Sequence, residues 1–242
     1  MMAEIFLEKN GEPFAAFGIS HGTVLFFYFL GAVSLLLFSK KILNKASAYN
    51  IIRWSLFSLL VLSEISYQTY TALNGIWSMG EHMFFHLCGV AGVTGAIALV
   101  NHHKQLIQIT FFIGLIPSLL ALVTPELPYD FPHYRYLKFF IHHMTISWTS
   151  IFLVVSHPVT ISFHAVLKTY MYLLIYAAII GFLVNPLLGS NYLYLSQTPT
   201  ANTPLDLLGS GVWYYVNLCV LAFVVFLVQY LVYRMVRHFK NT

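Results

Sequence analysis

Seven long apolar stretches divide this sequence, and they constrain its fold more than any other feature. A helix needs about 20 apolar residues to cross a bilayer core about 30 Å thick. The stretches lie at 21–39, 52–73, 83–101, 105–123, 136–156, 165–187 and 212–236. Because backbone hydrogen bonds must be satisfied within lipid, they predict an all-α bundle of about seven transmembrane helices.

The composition excludes a water-soluble domain. Apolar and aromatic residues make up 59% of the chain and charged residues only 8%, whereas soluble domains carry roughly a quarter charged residues. The net charge of +4 does not indicate nucleic-acid binding, because the basic residues sit at helix ends rather than in a patch with exposed aromatic residues. The two cysteines, Cys88 and Cys219, both lie in apolar stretches, so we expect no disulfide framework.

The charged residues predict an orientation, because Lys and Arg favour cytoplasmic loops. Nine of the twelve basic residues flank the same end of the predicted helices: Lys40, Lys41, Lys45, Arg53, Lys104, Lys168, Arg234, Arg237 and Lys240. Most acidic residues flank the other end: Glu4, Glu8, Glu12, Glu81, Glu126, Asp130 and Asp206. We therefore expect the N-terminus outside and the C-terminus inside.

The domain organisation expected from this pattern is simple. Residues 1–20 form an extracytoplasmic segment, 21–237 a single seven-helix membrane domain and 238–242 a cytoplasmic tail. The first segment is acidic and lacks the basic region of a secretory signal peptide, so the first helix is expected to remain in the mature protein.

Glu64 is the one acidic residue inside a predicted span. A charged carboxylate at the centre of a membrane helix costs at least about 2.5 kcal/mol, so it needs a partner or a wet cavity. Tyr67, Gln68 and Thr71 follow at helical spacing and form one polar stripe with it. The stripe is expected to face protein or water, either as a helix-packing network or as part of a site.

Histidines and a cysteine lie within the predicted third and fifth spans. Residues two apart on a helix point in different directions, so we expect a base for Cys88 from another helix rather than from His86. His142 and His143 are separated by about 100° around their helix, so one of them can face the interior. The alternative is that Cys88 is a small apolar residue and the histidines only satisfy hydrogen bonds.

These polar residues converge on one side of the membrane. Under the predicted orientation the outer half receives His21, Glu64, Gln68, His86, Cys88, His133, His143, Asn191 and Asp206. Arg135 and Lys138 mark the outer boundary, where they suit a lipid phosphate or simple snorkelling to the interface. Convergence from several helices predicts a site in this half.

Several segments of the sequence resemble a known family. They read FGISH, FHLCG, TPELPYDFPHYRYLKFFIHH, GSNYLYL and PLDLLGSGVWYY, and they span the chain from the first helix to the start of the seventh. In order and spacing they resemble the YwaF-like bacterial integral membrane proteins. That family is in turn similar to an animal transmembrane acyltransferase that remodels ether phospholipids, and more distantly to the androgen-induced membrane hydrolases of fatty acid esters.

The resemblance implies a thiol-dependent phospholipid acyltransferase or lipid esterase in a bacterial plasma membrane. Its catalytic pair would be Cys88 and His143, acting without a cofactor or metal on a phospholipid or lysophospholipid. The adjacent His142 departs from the family pattern, in which one histidine precedes a glycine, so the choice between the two stays open. Asn191, Tyr192 or His86 would donate hydrogen bonds to an oxyanion. The other supporting or substrate-binding candidates are Glu64, Gln68, His21, His133, His142, Arg135 and Asp206.

Two other function classes remain as alternatives. A zinc-dependent membrane hydrolase would hold the metal with histidines and carboxylates, but the seventh helix lacks the ligand histidines of known seven-helix lipid amidases. A transporter or receptor would use the outer cluster as a binding pocket. Against transport, the polar residues do not continue to the inner face and no inverted repeat is visible in the sequence.

Overall fold

The computed structural model describes residues 12–198 and 204–241 of the chain. Seven long helices follow one another: α1 (Ile19–Leu37), α2 (Ala46–Leu73), α3 (Leu87–Asn101), α4 (Lys104–Val123), α5 (Tyr134–Ser156), α6 (Phe163–Ile179) and α7 (Val212–Asn241). The connections add short helical pieces at Ser39–Leu43, Asn185–Leu188, Tyr192–Tyr194 and Pro204–Leu208. The predicted all-α bundle is confirmed.

Length and composition qualify five helices as candidate membrane spans: α1, α4, α5, α6 with its continuation to Leu188, and α7 as far as Arg237. Helix α3 is apolar but has only 15 residues. Helix α2 has 28 residues, but polar side chains such as Glu64 and Gln68 lower its hydropathy. The structure supports five to six candidate membrane helices, and the seven spans with their orientation stay predictions.

Helix α5 occupies the centre of the bundle. It packs against α1, α2, α3 and α4, and it is the most buried of the five candidate spans. Helices α6 and α7 pair with each other at the side of α4 and leave most of their apolar surface exposed. Such surfaces suit lipid, because the bilayer solvates apolar side chains as well as a protein core does.

Small residues let α3 approach α5 closely. A Cβ atom on Gly92 would lie 3.0 Å from Cε1 of His142, and one on Gly95 would lie 3.3 Å from Cγ2 of Thr149. Glycine at these positions therefore brings the α3 backbone against the polar face of α5.

Gly31 makes a similar close approach between α1 and α5. A Cβ atom there would lie 2.5 Å from the indole of Trp148, whereas one on Gly22, in the same helix, would meet nothing within 4 Å.

We predict that Gly31→Ala lowers the melting temperature of the purified protein in detergent, since overpacking costs about 1–3 kcal/mol. The matched control Gly22→Ala should leave it unchanged or slightly raised, because alanine favours helix. A Gly31→Ala protein as stable as wild type would contradict this packing.

The third helix begins later than the sequence predicts. Helix α3 starts at Leu87 rather than at residue 83, and His86 is its extended N-cap. The cause is Tyr192, whose hydroxyl donates to the Met79 carbonyl at 2.6 Å and accepts from the Met83 N–H at 3.1 Å. These bonds hold the segment outside the helix, so the placement of His86 within the helical turn of Cys88 is wrong.

Helix α2 also begins earlier than predicted, at Ala46 rather than at residue 52. Helix α6 begins at Phe163, within two residues of its predicted start, and continues through a π-helical turn at Ile180–Val184. A π-helical turn inserts an extra residue into a helix and is often found at functional sites.

The chain before α1 folds over the connection between α4 and α5. The carboxylate of Asp130 accepts hydrogen bonds from the Ser20 hydroxyl at 2.5 Å, the Phe131 N–H at 2.6 Å and the Ala15 N–H at 3.3 Å. Burial alone would raise the pKa of Asp130, but these hydrogen bonds outweigh it and hold the pKa below its usual value. Residues 1–11, including Glu4 and Glu8, lie outside the described part of the chain.

Candidate functional site

Five polar or ionisable side chains gather where α2, α3 and α5 meet, and we call them the Lys138 cluster: Cys88, His86, Lys138, His142 and His143. Lys138, His142 and His143 lie on α5, Cys88 lies in the first turn of α3 and His86 is the N-cap of that helix, and the His142 ring packs against Gly92 of α3. The cluster lies at the end of the bundle where α3 and α5 begin. That end is the one predicted to face outward.

Cys88 lies in the first turn of α3, forms no disulfide and is partly buried as a residue. It is the second residue of that helix, where backbone N–H groups have no intrahelical acceptor. Unpaired N–H groups at a helix N-terminus stabilise negative charge. The local structure therefore provides donors where a thiolate or a developing oxyanion would form. The other cysteine, Cys219, is exposed on α7.

His143 is buried on α5 with its tautomer defined by a backbone contact. Its Nδ1 lies 2.8 Å from the Phe139 carbonyl, and because a carbonyl only accepts, Nδ1 carries the proton. In the neutral ring Nε2 is then left with a free lone pair. No hydrogen bond joins this ring to the sulfur of Cys88 within the described residues.

His142 is buried between three helices. Its Nδ1 lies 2.7 Å from the Ser63 hydroxyl on α2, and its Nε2 faces the Cys88 carbonyl and Gly92 on α3. Nε2 makes no hydrogen bond of ordinary geometry within the described chain. His142 therefore links α5 to α2 through Ser63 and packs against α3 at Gly92.

The polar stripe on α2 faces the cluster. One carboxylate oxygen of Glu64 lies 3.6 Å from Nζ of Lys138, and the other accepts from Nε2 of Gln68 at 2.8 Å. The Gln68 carbonyl oxygen in turn accepts from the Trp77 indole at 2.6 Å. Lys138 also lies over the Tyr67 ring, with 4.3 Å between Nζ and the ring centroid. Glu64 thus has a cationic partner and a fixed position.

Tyr194 covers the cluster from the connection between α6 and α7. Its hydroxyl donates to the carboxylate of Glu126, and its ring lies 5.6 Å from that of His86. Burial, the hydrogen bond with Glu126, and the nearby Glu126 and Cys88 all raise the pKa of Tyr194. Leu193 and Tyr194 have φ of 59° and 56°, a conformation that costs about 1–3 kcal/mol at a non-glycine residue and persists only where contacts impose it.

Asn185, which follows the π-helical turn, organises this connection. Its side-chain oxygen accepts from the Ser190 hydroxyl at 2.8 Å and the Tyr192 N–H at 3.0 Å, and its amide donates to the Tyr192 carbonyl. Asn191 forms a hydrogen bond within the same loop, in which its side-chain amide donates to the Gln197 carbonyl. The hydroxyl of Tyr192 is already bonded at both Met79 and Met83. The side chains of Asn191 and Tyr192 thus hold the loop in place.

The structure places the remaining candidates outside the Lys138 cluster. His21 is buried against α4, accepting from the Phe17 N–H at 2.9 Å and donating to the Leu122 carbonyl at 2.8 Å. His133 is the N-cap of α5 and accepts from the Arg135 N–H at 3.1 Å. Asp206 is exposed in the turn Pro204–Leu208. The contacts of His21 and His133 join segments of the fold.

The sequence indicated Lys138 only as a boundary residue that suits a lipid phosphate or the interface, and it indicated no site role for Ser63, Glu126 or Tyr194. The spacing of Lys138 and His142, four residues apart, was the available signal, because such residues share one face of a helix. Ser63, Glu126 and Tyr194 had no such signal, since each reaches the cluster from a different element.

A metal centre was one alternative for these residues. Among residues 12–198 and 204–241, no group of three or more His, Cys, Asp and Glu side chains is arranged to hold a metal ion.

The fold and the cluster together define a multi-pass membrane protein with a polar site near the ends of its central helices. Residues 16–230 match the model of the TMEM164 family. Since the match spans most of the chain, the protein belongs to the TMEM164 family. No curated protein and no solved structure matches the chain.

Proposed function

We propose that this protein is a membrane-embedded acyltransferase or lipid esterase that acts on phospholipid acyl chains. Cys88 is the nucleophile and His143 is the base. The substrate is a phospholipid of the bacterial plasma membrane, and the acyl acceptor is a lysophospholipid or water.

The observation that carries the proposal is the shared environment of the thiol and the imidazole. Cys88 lies in the first turn of α3. The ring of His142 packs against Gly92, one turn further along α3, so the face of α5 that carries Lys138, with His143 next to it, lies beside that turn. A thiolate forms most readily beside cations and helix N-termini. Catalytic hydrogen bonds are often long in substrate-free sites and tighten when substrate binds, so the absence of a direct bond between Cys88 and His143 fits this role.

The first half of the reaction transfers the acyl group to the protein. His143 Nε2 accepts the thiol proton, and the sulfur of Cys88 attacks the ester carbonyl carbon, which places a negative charge on the carbonyl oxygen. The N–H groups of Cys88 and Gly89 stabilise that oxyanion. Collapse of this tetrahedral intermediate breaks the ester C–O bond, and the departing glycerol oxygen takes the proton from His143. The products are a Cys88 thioester and a lysophospholipid.

The second half regenerates the thiol. His143 accepts a proton from the hydroxyl of a lysophospholipid or from water, and that oxygen attacks the thioester carbonyl. The C–S bond breaks, and the Cys88 sulfur recovers the proton from His143. A lysophospholipid acceptor gives a remodelled phospholipid, whereas water gives a free fatty acid.

Two further observations support this chemistry. Within the family match, the motif segments that contain Cys88 and His143 resemble YwaF-like proteins and the animal ether-phospholipid acyltransferase. The cluster also lies near helix ends, and phospholipid esters lie just below the headgroup, so a site at that depth suits an ester bond.

The experiment follows the covalent intermediate. The protein is reconstituted with a phospholipid that carries a labelled acyl chain, in the absence of lysophospholipid, and is quenched in acid. We expect the peptide that contains Cys88 to carry the labelled acyl group as a thioester that hydroxylamine removes. The peptide that contains Cys219 should carry none. Labelled phospholipid turnover without any acyl group on Cys88 would overturn the proposal.

A further inference from the structure

An open groove of about 340 Å³ lies at the opposite end of the bundle from the Lys138 cluster. It runs between the start of α6 and the last turns of α7. Its lining residues are Thr160, Ile161, Ser162, Tyr230, Tyr233, Arg234 and Arg237. We call it the arginine groove.

The two arginines of the groove are held by tyrosines one turn earlier on α7. Nη1 of Arg237 donates to the Tyr233 hydroxyl at 2.7 Å, and Nη1 of Arg234 donates to the Tyr230 hydroxyl at 3.5 Å. Each guanidinium also lies over the ring of that tyrosine, at about 6 Å from its centroid. Because a guanidinium has five N–H donors in a rigid fork, most donors remain available to a ligand.

The positive charge of the groove is not neutralised by a carboxylate within residues 12–198 and 204–241. Neither Arg234 nor Arg237 forms an ion pair within the described residues. The acidic residues of the described chain belong to other parts of the fold: Glu12, Glu64, Glu81, Glu126, Asp130 and Asp206. Two guanidinium groups within one turn repel each other, so a bound anion would relieve that repulsion.

The facing wall adds further donors. Ser162 caps α6, with its hydroxyl accepting from the Ala165 N–H at 3.2 Å and its carbonyl accepting from the Val166 N–H. The N–H groups of Phe163 and His164, before them, have no acceptor within the described residues. Such N–H groups at a helix N-terminus favour anions, and Ser162, the residue that caps this helix, lines the groove together with the two arginines.

We propose that the arginine groove binds a phosphate group, supplied by the headgroup of a phospholipid. Arginine binds phosphate with two parallel hydrogen bonds. The neighbouring surface of α6 and α7 exposes apolar side chains such as Phe163, Val232 and Val236, which the acyl chains of the same lipid would contact. Free phosphate shares the headgroup chemistry but not these apolar contacts. This site is independent of the function proposed for Cys88.

The test measures lipid binding to the purified full-length protein in an uncharged detergent. Native mass spectrometry is used to titrate dioctanoyl phosphatidic acid into wild type, the double variant Arg234→Gln/Arg237→Gln and the single variant Tyr233→Phe. We expect the double variant to bind at least about tenfold more weakly. Tyr233→Phe keeps every charge but frees Arg237, and it should bind about threefold more weakly.

The matched control is Lys40→Gln/Lys41→Gln, which removes two exposed charges at the same end of the bundle and should change affinity less than about twofold. Inorganic phosphate is added as a competitor. Displacement only at large excess assigns the site to a phospholipid, whereas displacement at an equal concentration assigns it to free phosphate. Undiminished binding in the arginine double variant, or an equal loss in the lysine control, would overturn the proposal.

Discussion

Cys88→Ala is expected to lower the rate of phospholipid acyl transfer by at least about 10³-fold, because loss of a nucleophile removes the covalent route altogether. Alanine is expected to keep the fold in this position, since Cys88 is a small, partly buried residue at the edge of the core and no hydrogen bond to its sulfur is present within the described residues. The rate is measured in proteoliposomes, from the transfer of a labelled acyl chain to an added lysophospholipid. The melting temperature should fall by no more than a few degrees.

The matched control for this substitution is Cys219→Ala. Cys219 is also a free cysteine in a helix, but its side chain is exposed on α7, away from the Lys138 cluster. Its removal should leave the acyl-transfer rate within about twofold of wild type. If Cys88→Ala retained the wild-type rate, Cys88 would not be the nucleophile and the polar cluster would need a different chemistry.

Helix positions were largely predictable because apolar stretches end where charged or turn-forming residues begin. The predicted spans 21–39, 105–123 and 136–156 correspond to α1, α4 and α5 within two residues. Helices α2 and α3 were the exceptions, and α2 begins at Ala46 rather than at residue 52. The hydropathy pattern places the start of α3 at residue 83. The hydrogen bonds from Tyr192 to Met79 and Met83 hold that segment outside the helix, so α3 begins at Leu87. A hydrogen bond between residues 109 positions apart cannot be predicted from the local hydropathy pattern.

The sequence predicted many of the residues of the candidate site but not which of them contact each other. Glu64 needed a partner or a wet cavity, and the sequence indicated that the polar stripe on α2 would face protein or water, yet several basic residues could have paired with Glu64. Only the packing of α5 against α2 places Lys138 beside Glu64. In the same packing the two adjacent histidines have different hydrogen-bond partners. His142 bonds with the Ser63 hydroxyl, and His143 bonds with the Phe139 carbonyl. Neither partner could be assigned from helical periodicity alone.

Because the two histidines have different partners, we expect their substitutions to have different effects. His143→Gln should lower the acyl-transfer rate by about 10²–10⁴-fold, which is the usual contribution of a general base. In wild type the rate should fall as the pH is lowered, because a protonated imidazole cannot accept the thiol proton. In the His143→Gln protein this acid limb should disappear, and the pH–rate profile in proteoliposomes measures it.

His142→Gln is the matched substitution and should act mainly on stability. It replaces a ring that contacts Ser63 and packs within 3.2 Å of a Cβ position on Gly92, so the melting temperature should fall by several degrees, as expected for a loss of about 1–3 kcal/mol. The rate should fall less than about tenfold and keep its acid limb. Since both residues lie on α5 beside Lys138, a general disturbance of the cluster would affect both alike. If His142→Gln abolished transfer while His143→Gln retained the acid limb, His142 would be the base, and its Nε2 would have to turn from the Cys88 carbonyl to the thiol.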